Sequence, residues 1–162
     1  MSDMEYPACI RELYESEIFG EAASLAVLAV TKNERDRYHM GTLLQLETET
    51  KARLRPFLTK HGITLSEQMP LNDVDGIVDA YKEHNWQEFA AAIKPVVDDF
   101  LHRFKEIVQL GPEEDRDVLE SMVRHESAIL QWIELESKGA DDSSLDSIIA
   151  ELQYPLPKPS SL

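Results

Sequence analysis

Four long stretches of this chain repeat apolar side chains every three or four residues, with almost no glycine or proline inside them. That spacing builds amphipathic helices and leaves little room for anything else. The first stretch runs from about Ile10 to Val30, with Ile10, Tyr14, Ile18, Leu25 and Leu28 along one face. The second opens at Asn33, an N-cap residue with Glu34 and Asp36 in the favourable first turn, and reaches about Lys60. Met40, Leu43, Leu44, Leu54 and Leu58 form its stripe, and Pro56 loosens its last turns. The third spans Trp86 to Leu110 on Phe89, Ile93, Val97, Phe100, Phe104 and Val108, with a kink expected at Pro95. The fourth starts with Pro112 and the acidic run Glu113, Glu114, Asp115, and carries Leu119, Met122, Val123, Leu130 and Ile133. Gly62, Gly111 and Gly139 each follow such a stretch, where a left-handed cap residue is expected.

No strand pattern competes with these helices, so the fold class is all-α. The connection from Gly62 to about Asn85 is long and holds a short helix over Val74 to Tyr81. A crossover of that length lets the second and third long helices run in the same direction, which describes a four-helix bundle with one long connection. A short fifth helix follows, capped by Ser143 or Ser144 and reaching Leu152. Residues 1–152 are expected to form a single domain. The tail 153–162, ending YPLPKPSSL, is expected to run extended along the surface.

Hydrophobic residues make up 43% of the 162, enough for a sizeable core. Lys and Arg number 16 against 31 Asp and Glu, a formal charge of −15, which repels nucleic acid and anionic lipid alike. The longest largely apolar run, Ala22 to Val30, falls far short of a membrane span. The start, MSDMEYPACIREL, lacks the pattern of a signal peptide, so a cytoplasmic location is expected. Cys9, the one cysteine, is placed ahead of the first helix; it excludes an internal disulfide and any multi-cysteine metal site.

Three carboxylates fall on apolar stripes. Glu21 lies three residues after Ile18 and four before Leu25; Glu47 is four after Leu43; Glu126 is three after Val123 and four before Leu130. An isolated buried carboxylate costs several kcal/mol unless it is paired, protonated or bound to a metal. One such residue on each of three helices points to a shared polar centre.

The segments ESEIFGEAASLAVLA, LLQLETETKARLRPFL and VRHESAILQW resemble the metal-bearing helices of the ferritin-like superfamily, the rubrerythrin and di-iron carboxylate proteins. That resemblance implies a Glu on helices one and three and a Glu-x-x-His motif on helices two and four. Glu21 takes the first-helix position, with Glu17 one turn earlier as the alternative. Glu47 takes the second-helix Glu, but Thr50 stands where the His is due. Glu126 takes the fourth-helix Glu, with Ile129 at its His position. The third helix has no carboxylate on its stripe, since Glu88, Asp98 and Asp99 fall to one side.

Two functional expectations follow. In the first, which the missing imidazoles favour, the di-iron site has been lost. Lys51, one turn after Glu47, neutralises Glu47 and Glu21 in a metal-free cluster, no cofactor is bound, and the protein is non-enzymatic or ligand-binding, its small ligand not identified. In the second, Glu17, Glu21, Glu47 and Glu126 hold iron or another divalent metal, dinuclear or mononuclear, in an oxidoreductase. His125 points about 100° away from Glu126 on its helix and is assigned to a helix interface, with a reach to the site by rotating, or a hydrogen bond supporting it, as the alternative. His39, His61, His84 and His102 are assigned to the surface or its boundary, and Trp86 and Trp132 to packing. Tyr14 belongs to the core or hydrogen-bonds a central carboxylate. By analogy a homodimer is expected, with the second helix near Tyr38 and Thr42 as one surface for it.

Overall fold

A computed structural model describes residues 5–69 and 73–162. Among these residues there is no strand, and the helices follow in the order α1 (Glu5–Leu28), α2 (Glu34–Lys60), α3 (Val74–Glu83), α4 (Trp86–Leu110), α5 (Arg116–Glu136) and α6 (Asp146–Ile149). Single 3-10 turns, Glu113–Asp115 and Asp142–Leu145, precede α5 and α6.

Local chemistry accounts for most of the boundaries. Asn33 caps α2, its side chain accepting the Asp36 N–H at 2.8 Å, and Asn85 with Glu88 forms a reciprocal capping box on α4. Helix α1 starts more than a turn before Ile10. Pro7 sits in its first turns, where an amide needs no helical acceptor, so Cys9 lies inside the helix and is buried rather than preceding it. Gly62 (φ 66°) and Gly139 (φ 79°) adopt the expected left-handed conformation, but Gly111 (φ −76°) does not. Glycine is needed at 111 because a Cβ there would overlap Leu119. Helix α4 runs through Pro95 as one element. Asp141 caps the 3-10 turn before α6, accepting the Ser143 N–H, while α6 itself starts after Leu145 without the side-chain cap expected of Ser143 or Ser144 and ends at Ile149, short of Leu152. The tail returns along α2: Glu49 accepts the backbone N–H groups of Gln153 and Tyr154, each at 2.8 Å, and the Ser161 hydroxyl donates to Glu34.

The four long helices share a core in two clusters. At one end, Ile10 and Leu13 of α1 and Leu119 and Met122 of α5 meet Leu54 and Leu58 of α2 and Phe104 and Ile107 of α4. At the other, Val27, Leu43, Phe89 and Trp132 are the corresponding contributions. Each fully buried side chain of this size stabilises the fold by about 1.5–3 kcal/mol. Helix α1 packs chiefly on α2 and α4 on α5, while α3 touches both α1 and α4. Leu25, assigned above to the buried stripe, is 55% exposed, and the inward face of α1 instead follows Leu13, Glu17, Ser24 and Val27. Tyr38 and Thr42 are buried within the chain and offer no surface to a second copy. No helix among the described residues is long and apolar enough to cross a membrane.

One buried carboxylate ties the end of α2 to the start of α5. Asp115 accepts from Lys60 Nζ at 2.5 Å and from the Tyr6 hydroxyl at 2.8 Å, and His61 Nε2 lies 2.7 Å away. Burial alone would raise its pKa, but the bonds from Lys60 and Tyr6 and the charge of His61 outweigh that and hold the carboxyl below its ordinary value. Asp115→Asn is therefore expected to cost about 2 kcal/mol near neutral pH. Because folding lowers this group's pKa, its contribution is complete above the ordinary carboxylate range and disappears as pH falls through the folded value. Urea denaturation of parent and variant should show a gap at neutral pH that closes in acid; a gap independent of pH would assign Asp115 a purely steric role.

Candidate metal centre

Between the two core clusters, mid-helix residues of α1, α2 and α5 converge. Glu17 and His125 are each 1% exposed, and Glu47 and Glu126 are buried with them. His125 Nε2 lies 3.2 Å from Glu17 Oε2, 3.5 Å from Glu47 Oε2 and 3.7 Å from Glu126 Oε2. Donor atoms of Glu17, Glu47 and His125 all fall within 4.8 Å of one another. Burial, the neighbouring charge and contact of Glu47, and the charge of Glu126 push the Glu17 carboxyl well above the usual range. Burial and the Glu47 charge do the same to Glu126.

The hydrogen bonds around the imidazole decide what faces the carboxylates. Thr50 Oγ1 donates to the Leu46 carbonyl at 2.8 Å, so its proton is committed to its own helix. The same oxygen lies 3.1 Å from His125 Nδ1 and accepts the Nδ1 proton. In the neutral ring this leaves the Nε2 lone pair directed at three carboxylates. Neither Nε2 nor Glu17 Oε2 has a hydrogen-bond partner, although both are buried. Glu17, Glu47 and His125 thus converge on one point with Glu126 beside them, and where burial and mutual charge favour protons on Glu17 and Glu126, a dication can take the protons' place.

The side chains singled out from sequence divide into two groups. Glu17, Glu47 and Glu126 come together, with Glu17 replacing Glu21 as the inward carboxylate of α1. Glu21 is 29% exposed at the edge, where it accepts from Thr48 Oγ1 at 2.7 Å and from Lys51 Nζ at 2.9 Å. Lys51 is buried as expected, yet its second partner is Glu67 Oε2 at 2.6 Å rather than Glu47. Glu67, in the α2–α3 connection, also accepts from the Tyr14 hydroxyl and, at 3.2 Å, from Arg55 Nη2. Tyr14 thus bonds the connection and not the central carboxylates. Lys51 pins that connection to α1 and α2, and the charges at the centre are left without it.

Glu67 was missed from sequence, and His125 was given to a helix interface ahead of its reach to the site. Nothing in the composition of the connection marks Glu67. His125 did carry a signal: it lies three residues after Met122, four before Ile129 and seven before Trp132, all buried. That face, rather than the one through Val123 and Leu130, is the centre of the buried side of α5. The two adjacent residues His125 and Glu126 straddle it, and both reach the interior.

Helix α4 brings only apolar side chains to this level, as its sequence implied. They help to line a cavity of about 90 Å³ that reaches Glu47 and Glu126. Phe19 and Ala23 of α1, Ile77 of α3 and Ile93 and Phe100 of α4 form much of its wall.

No family model, no curated protein and no solved structure matches this chain.

Proposed function

We propose that this protein is a ferritin-like four-helix bundle that binds one divalent transition-metal ion through Glu17, Glu47, Glu126 and His125. The observation that carries the proposal is that two buried atoms, His125 Nε2 and Glu17 Oε2, have no hydrogen-bond partner and lie 3.2 Å apart, with a Glu47 carboxylate oxygen 3.5 Å from the same nitrogen. Burying three carboxylates against a lone pair is costly, and a dication removes the cost by neutralising charge and satisfying each acceptor.

The bundle arrangement is supported by which helix halves meet. N-terminal halves of α1 and α5 pack with C-terminal halves of α2 and α4, so α2 and α4 run in the same direction across the long connection. The donor set supports one ion. Three carboxylates and one imidazole would hold a single ion, and mixed oxygen and nitrogen donors suit Fe²⁺ or Mn²⁺. A bound ion of this kind supplies Lewis-acid or redox chemistry. Thr50 Oγ1 orients the imidazole from behind, and a largely apolar cavity reaches the Glu47 and Glu126 side.

Equilibrium dialysis of the chelator-treated protein against Mn²⁺, and anaerobically against Fe²⁺, tests this. One ion per chain is expected. No bound ion, or two per chain, would overturn the proposal.

A further inference from the structure

Gly20 lies in the interior of α1, where glycine weakens a helix relative to alanine, and no cap, turn or left-handed φ calls for it. Its reason lies across the interface with α2. A Cβ at position 20 would stand 2.6 Å from Glu47 Cδ and 2.7 and 2.8 Å from the two carboxylate oxygens. Side chains do not approach that closely. The atoms it would strike are the free end of a flexible side chain, so an added methyl group displaces the carboxylate while the helix stays in place.

We propose that Gly20 is a positioning residue for the centre. By presenting bare backbone it lets the Glu47 carboxylate lie flat against α1, within reach of Glu17 and His125, and α1 gives up helical stability in return. The inference rests on the metal-binding proposal above and adds to it the residue that sets one ligand. Gly41 of α2 is the matched control, because a Cβ there meets only Leu156 Cδ1, at 3.0 Å, and no group of the centre.

The test is a Co²⁺ titration of the whole chain, followed by visible absorbance, together with thermal denaturation of the metal-free protein, for the parent, Gly20→Ala and Gly41→Ala. Gly20→Ala should bind Co²⁺ about 10- to 100-fold more weakly, as when a support of a metal ligand is lost. Its metal-free melting temperature should rise by about 2–4 °C. Gly41→Ala should bind as the parent does. Weaker binding with greater stability is a combination that general damage to packing does not produce. Gly20→Ala binding Co²⁺ as tightly as the parent overturns the inference and leaves the metal proposal standing. Gly20→Ala losing stability along with affinity also overturns it, since the glycine would then serve packing. A parent that binds no Co²⁺ at all overturns both.

Discussion

Glu136→Ala is expected to lower stability by about 3–5 kcal/mol, the loss associated with breaking a buried ion pair from one side. The Glu136 carboxylate, 1% exposed, accepts from Arg35 through Nη1 at 3.1 Å and Nη2 at 2.9 Å, from Trp86 Nε1 at 2.5 Å and from the Ser144 hydroxyl. One residue of α5 thereby holds α2, the first turn of α4 and the turn before α6. Arg35, partly exposed, can turn to water once the carboxylate is gone. The fully buried Ser144 would lose an acceptor without such relief, and the half-buried Trp86 indole would lose its partner as well. Glu136→Gln keeps an acceptor oxygen and should lose distinctly less. Urea denaturation followed by circular dichroism measures both; a loss below about 1 kcal/mol for Glu136→Ala would reduce the network to surface pairing. His39, assigned from sequence to the surface or its boundary, is buried beside this network and accepts from Trp132 Nε1 at 3.0 Å on its Nδ1. That acceptor role makes its 3.8 Å approach to Glu136 a neighbourly contact and not an ion pair.

Glu17→Gln should move two properties in opposite directions. It removes a metal ligand, so affinity for Mn²⁺ or Fe²⁺ should fall on the order of 100-fold or more, at least as far as the loss of a ligand's support. It also removes a buried carboxyl whose ionisation burial and the charges of Glu47 and Glu126 oppose, and the new amide can donate to Glu47 and to the His125 lone pair. The metal-free variant should therefore be more stable than the parent by about 1–2 kcal/mol. Dialysis and urea denaturation read the two effects separately. A variant less stable than the metal-free parent would mean that the Glu17 carboxylate is already satisfied within the protein.

Much of this molecule is legible in its sequence, because helix signals are local. The Asn33 cap, the α4 limits at Trp86 and Leu110, the helix over 74–81 and the left-handed glycines at 62 and 139 are each written in a few neighbouring residues. The centre was legible in outline, as carboxylates of α1, α2 and α5 on buried stripes. Its membership depends on helix rotation, which stripes fix only to within about a residue. Leu25 drew the α1 stripe toward Glu21 when the inward residue is Glu17, one turn away on a face continued by Ser24 and Val27. Val123 and Leu130 drew the α5 stripe away from His125 and toward its neighbour Glu126. Lys51 was legible as a buried cation, but its partner Glu67 sits sixteen residues further along in a connection without periodicity, and only the fold brings them together.

The most direct test is anomalous diffraction from crystals of the protein grown with Co²⁺. A single strong peak is expected in the bundle interior, within bonding distance of His125 Nε2 and of carboxylate oxygens of Glu17, Glu47 and Glu126. An interior without a peak, with cobalt only on surface carboxylates, would contradict the account and leave the partnerless imidazole and carboxylate to be explained by protons alone.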